Sequence, residues 1–186
     1  MHSSSLDQVT DIPVGIFNIN SPNILVTDPC YEKGTWCQGN INNAKTGKWY
    51  AQASFSNEKV WDTRVSSLQI FHEGLSFRQL PDMDWKKQKA TIGVDSGQAG
   101  FFQSERYHEN GRGDFDDHDS FYGQICEMTL SSKQAGVIDY GCVSSSGFGD
   151  GEYTLETIED KDKKTVAARI IFISCEDEEE YDEYEE

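Results

Sequence analysis

The chain has 186 residues, 36% of them hydrophobic and 12% aromatic, which is enough for one domain with a sizeable core. Its formal net charge is −17 with only 16 Lys and Arg residues, which argues against direct nucleic-acid binding, because phosphate contacts need a basic surface. No run approaches the roughly 20 apolar residues that cross a bilayer, and the first residues, Met-His-Ser-Ser-Ser-Leu-Asp-Gln, lack the basic and apolar stretches of a secretion signal. No membrane association and a cytoplasmic location are therefore expected.

Along the chain, residues 1–12 read as a flexible N-terminus, 13–175 as a single β-rich domain and 176–186 as an acidic disordered tail. Period-two alternation is the main signal. It places strands at 14–19, 24–27, 47–55, 65–72, 91–95, 121–130, 136–143, 153–158 and 165–173. In 47–55, Trp49, Ala51, Ala53 and Phe55 share a face; in 165–173, Val166, Ala168, Ile170 and Phe172 do. Only 82–89, following Pro81, suggests a helix. The long polar stretch 104–120 reads as a functional or mobile loop. Many short strands with turn chemistry between them predict a mostly β fold, an antiparallel β-sandwich or partly open barrel with little helix.

Five cysteines at 30, 37, 126, 142 and 175 are odd in number and lack Cys-x-x-Cys spacing, so a reducing compartment suits them better than a disulfide framework. The tail holds nine acidic residues and no basic one, leaving about −8 for the rest. It reads first as a solubilising terminus; attraction of a basic protein is the alternative.

Two glycine-spaced turns stand out, Asp95-Ser96-Gly97-Gln98-Ala99-Gly100 and Ser144-Ser145-Ser146-Gly147-Phe148-Gly149-Asp150-Gly151. With them goes the corner Asp28-Pro29-Cys30-Tyr31. Such turns allow positive φ and bring polar groups together, which serves a site and a tight hairpin equally. The strand ending in Thr27-Asp28-Pro29-Cys30-Tyr31, the block from Gly93 to Phe102, and the block from Ser145 to Tyr153 resemble a pattern found in uncharacterised proteins of bacteria, phages and some protists, a domain-of-unknown-function family. The resemblance covers roughly residues 13–174 and implies a compact β-rich domain centred on these blocks. It implies no chemistry, and the chain departs from the pattern in the 104–120 insertion and the acidic tail.

The expected ligand-binding set is Asp28, Cys30, Tyr31, Asp95, Ser96, Gln98, Phe102, Ser145, Ser146 and Asp150, which mixes neutral hydrogen-bonding groups with rings as a pocket for a small molecule or protein does. The competing reading makes the rings core and the polar groups turn-formers. The alternative function is a small hydrolase, using Cys30 with His72 or a divalent metal held by Asp28, Asp95 and Asp150. Asp at such turns is also explained by bonding to its own backbone, and the 114–119 run lacks EF-hand spacing, so no metal or other cofactor is expected. Ser144–Ser146 is no nucleophile elbow, because Gly-x-Ser-x-Gly is absent. The Arg112-Gly113-Asp114 tripeptide lacks any secretion signal to support adhesion, and mimicry of nucleic acid would need the acidic charge arrayed on the folded surface. A binding or interaction domain is the primary expectation.

Overall fold

The computed structural model describes residues 10–174 except 59 and 61; the expected flexible residues 1–9, the acidic tail 176–186 and Cys175 lie outside the described residues. The strands are β1 (Thr10–Ile19), β2 (Ile24–Thr27), β3 (Gly39–Ile41), β4 (Gly47–Asn57), β5 (Thr63–His72), β6 (Lys86–Val94), β7 (Gln98–Gln103), β8 (Ala135–Ile138), β9 (Gly141–Ser145), β10 (Gly151–Glu159) and β11 (Thr165–Ile171). One helix, α1 (Phe121–Leu130), lies between β7 and β8. A six-stranded sheet runs β1-β4-β5-β11-β10-β6 and a five-stranded sheet runs β3-β2-β7-β9-β8. The two antiparallel sheets face each other without closing into a barrel, a mostly β sandwich. Among the described residues, no helix is long and apolar enough to cross a membrane.

The inter-sheet core follows the alternation. Trp49, Ala51, Ala53 and Phe55 enter it from β4, where Phe17, Leu68, Ile70, Ile92 and Phe101 meet them. Ala168, Ile170 and Phe172 also enter, but Val166 joins a second cluster on the outer face of the larger sheet. The register of β10 against β11 shifts between Ile158 and Glu159, and a bulge of this kind turns a side chain to the other face. That outer cluster packs Phe71, Leu80, Ile158 and Ala167 under Leu75, Met83 and Trp85. A third cluster covers the outside of the smaller sheet, with Leu25, Phe102 and Val143 beneath Tyr107, Phe121, Ile125 and Met128.

Several expected elements are corrected. Residues 121–130 form α1 instead of a strand. A short apolar run does not distinguish the two, but Phe121, Ile125 and Met128 at helical spacing cover the smaller sheet, and Ser120 caps the first turn by accepting from Gly123 N at 3.0 Å. The expected helix at 82–89 is a single 3-10 turn, Leu80–Asp82, followed by edge strand β6. There Lys87 pairs with Glu156, and the exposed lysines discourage edge-to-edge association. The strand expected at 136–143 is the β8–β9 hairpin, turning at Asp139-Tyr140. Finally, Thr10–Ile12, expected in the flexible terminus, pair with Phe55–Ala53 as the start of β1.

Candidate functional site

Three connections cross between or within the sheets at one end of the sandwich: β2 to β3, β6 to β7, and β9 to β10. Asp28, immediately after β2, ties the first two together. Its carboxylate is fully buried and accepts four hydrogen bonds. Oδ1 accepts from Cys30 N at 2.8 Å and from Ser96 Oγ at 2.6 Å; Oδ2 accepts from Asp95 N at 2.8 Å and from Ser96 N at 2.7 Å. Two consecutive amides pointing at one oxygen form an anion-holding concavity, here filled by the protein's own carboxylate. The third connection joins through Ser146 N, which donates to Gly97 O at 3.0 Å, while Gln98 and Ser145 pair across β7 and β9. Segments near positions 30, 97 and 149 thus lie side by side.

The first connection is a compact loop organised by Gln38. Its Oε1 accepts from Gly34 N and Thr35 N, both at 3.0 Å, and its Nε2 donates to Thr27 Oγ1 at 3.0 Å and to Glu32 O at 2.9 Å. Trp36 on this loop is 84% exposed. Tyr31 donates its hydroxyl to the Asp95 carboxylate, and that bond holds the phenol well above its usual pKa. Behind the corner, Gln98 Nε2 donates to Ser96 Oγ at 3.2 Å and approaches Cys126 Sγ at 3.8 Å, while its Oε1 accepts from Thr129 Oγ1 at 2.6 Å.

Residues 107–112 fold back over the corner. Buried Tyr107 donates to Tyr31 O at 2.5 Å, its ring centroid stacks 3.8 Å from that of His108, and His108 Nε2 lies 3.1 Å from Pro29 O. Arg112 Nη1 donates to Cys30 O at 3.2 Å. Burial raises the Tyr107 pKa and lowers that of His108. Tyr107, His108, Arg112 and Gln38 were not anticipated as part of this corner. The bonds of Tyr107, His108 and Arg112 run to main-chain atoms some 76 to 82 positions away, for which local spacing carries no signal, whereas Gln38 organises its own loop through nearby partners.

Each expected ligand-binding residue now has a place. Asp28, Cys30, Tyr31, Asp95, Ser96 and Gln98 form one hydrogen-bonded group. Ser145 borders it, with its Oγ 3.3 Å from Thr129 O. Ser146 is buried and donates its hydroxyl to Gly149 O at 2.9 Å, closing its own turn. Asp150 is exposed on that turn. Phe102 is fully buried, and its ring meets Tyr107 and Phe121 in the outer cluster of the smaller sheet.

The features invoked for hydrolysis are set up differently. Cys30 is half-buried, and burial together with the Asp28 charge pushes its thiol up to about 12. A thiol so raised is protonated at neutral pH, when nucleophilic attack needs thiolate. His72 packs edge-on to Trp49, with Nε2 at 2.9 Å from Thr46 O and Nδ1 accepting from Gly74 N at 3.1 Å, so both ring nitrogens are engaged locally. For the carboxylates, Asp28 already serves four donors and Asp95 is held by Tyr31. Among the described residues, no group of three His, Cys, Asp or Glu side chains is placed to hold a metal ion.

Comparisons of the chain with protein-family models, curated proteins and solved structures give no significant match. The expected kinship with an uncharacterised β-domain family is therefore carried by its three sequence blocks alone, and the site has to be read from its own geometry.

Proposed function

We infer that this chain is a cytoplasmic binding domain that recognises a small molecule or protein through the loop-bearing end of its sandwich. The observation that carries the reading is the Asp28 carboxylate, which locks the β2–β3 loop of the smaller sheet to the β6–β7 connection between the sheets while aromatic side chains are left on the outside. Tyr31 and Trp36 sit on the β2–β3 loop and Phe148 on the β9–β10 connection that Ser146 N ties to Gly97 O, and Trp36 and Phe148 are exposed. Rings carried on loops held in advance supply contact area with little ordering cost on binding. Asp95 and Asp150 add negative charge there, consistent with a basic or hydrogen-bond-donating ligand. The thiol and imidazole chemistry of Cys30 and His72 finds no comparable support.

The test is selection of displayed random peptides and a thermal-shift screen of small molecules against the full chain. Ligands found should lose at least about tenfold affinity in the Tyr31→Ala/Trp36→Ala/Phe148→Ala variant, the size expected for aromatic anchors. Ligands that bind this folded variant as well as the parent would defeat the assignment of the surface.

A further inference from the structure

A second surface lies against α1, and none of its lining residues belongs to the three connections above. A groove of about 390 Å³ runs between the 115–118 segment and the helix, with Phe115, Asp116 and His118 on one wall, Glu127 and Leu130 on the other, and Cys126 at its floor. Gly123, one turn before Glu127, sets the separation of the walls. A Cβ there would stand 1.9 Å from Asp117 O, so the helix and the loop meet at this point and diverge beyond it. The volume falls within the range of ligand-holding clefts.

The lining is of two kinds. Phe115 is 59% exposed and Leu130 is 73% exposed, although α1 buries its other face thoroughly. Asp116 and Glu127 line the groove with these apolar groups, and the loop that carries Asp116 also exposes Asp114, Asp117 and Asp119, with Arg112 as a cation nearby in sequence. His118 Nδ1 pairs with Glu127 across the groove, which holds that carboxylate at the rim. A solvated acidic loop accounts for the charge alone. It does not account for two large apolar side chains left at the mouth of the same trough.

We propose that this groove docks a segment of a partner protein that carries Lys or Arg within a few residues of an aliphatic or aromatic anchor. Charge complementarity selects that occupant: an acidic segment would set its own charges against Asp116, Glu127 and the acidic 114–119 loop, whereas a basic one is drawn to them. The helix residues that line the trough, Cys126, Glu127 and Leu130, fall on one stripe, as in docking of a peptide along a helix face. The apolar anchor fits between Phe115 and Leu130, and the cation fits beside Asp116 and Glu127. The proposal stands apart from the loop-end reading, because the two use different side chains.

Random dodecapeptides displayed on phage and selected on the full chain provide the test. Enriched sequences should place Lys or Arg within four residues of Leu, Ile, Met or Phe. Synthetic copies, followed by fluorescence polarisation, should lose at least about tenfold affinity with Phe115→Ala or Leu130→Ala, and again with Glu127→Gln. The Tyr31→Ala/Trp36→Ala/Phe148→Ala variant should bind them like the parent, and thermal unfolding of the groove variants should match the parent. Enrichment of acidic or uncharged peptides, an unchanged affinity in Phe115→Ala and Leu130→Ala, or no enrichment would overturn the proposal. So would sedimentation showing self-association that those two substitutions abolish, since the occupant would then be a second copy.

Discussion

The Asp28 corner and the α1 groove are both polar, both next to Ser-rich or Asp-rich loops, and opposite in how they use those groups. At the corner the central acceptor is turned inward: four donors from two loops converge on one buried carboxylate, and the described residues hold no buried side-chain nitrogen or oxygen without a partner. At the groove, carboxylates and rings face outward. The same residue types therefore build a rigid framework in one place and an open surface in the other. What separates them is whether a distant backbone amide arrives to fill the acceptor.

Removing the carboxylate is the severest way to break this contrast. Asp28→Ala strands the amides of Cys30, Asp95 and Ser96 and the Ser96 hydroxyl, and hydrogen bonds to charged groups are individually strong. The expected loss is on the order of 3–5 kcal/mol by urea denaturation. Leu130→Ala on the groove should change stability by less than about 0.5 kcal/mol, as an exposed side chain does. Equal costs at the two positions would mean that Asp28 is not the framework it is described to be.

Thiol chemistry sharpens the same contrast. With its pKa at about 12, Cys30 carries very little thiolate at pH 8, and the higher nucleophilicity of a more basic thiolate offsets only part of this. Its alkylation by iodoacetamide should run about a hundredfold slower than that of a free cysteine, as read by peptide mass spectrometry. Alkylation of Cys30 at or above the free-thiol rate would restore the hydrolase reading.

The two glycine turns differ in how tightly they are held. Gly97 has φ +71° and no atom within 4 Å of the place a Cβ would take, so Gly97→Ala carries only the left-handed backbone cost of about 1–2 kcal/mol. Gly147 has φ +64°, and a Cβ there would also stand 3.1 Å from Phe172 Cβ and 3.3 Å from Val65 O. Gly147→Ala should therefore be the more destabilising, by about a further 1 kcal/mol in denaturant titration. The reverse order would indicate that the β9–β10 turn yields more readily than its packing implies.

The sandwich was legible because its strands alternate: Trp49, Ala51, Ala53 and Phe55 reach the core as their period requires. Element type failed where two periods fit one short run. Phe121-Tyr122-Gly123-Gln124-Ile125 has rings and a β-branched residue suited to a strand, and only the uncovered outer face of the smaller sheet decides for a helix. Of the candidate site, the three blocks could be found because glycine and aspartate mark turns. That Asp28 would bond residues 67 and 68 positions away, that Tyr107 and His108 would close over it, and that Phe102 would be core were not readable. Those contacts depend on sheet order and on the path of 104–120, for which the local pattern has no code.

The smallest expected effect concerns how the 104–120 segment is seated on the corner. Burial is the largest influence on His108 and lowers its pKa below the ordinary 6.5; Arg112 and Lys33 act in the same direction, while the Pro29 carbonyl and Glu32 oppose. The unfolded chain then takes up this proton at a higher pH than the folded one. Stability from neutral His108 is complete above about 6.5 and is lost as pH falls from there toward the folded-state value. In His108→Gln, an amide can still donate to Pro29 O, but the titration is gone. Denaturation curves between pH 7.5 and 5 should show the parent losing more stability than the variant, with the difference confined to the acid side of 6.5. Parallel losses would mean that protonated His108 is accommodated without disturbing its stack on Tyr107, and that the segment rests on the corner more loosely than its hydrogen bonds to Tyr31, Pro29 and Cys30 imply.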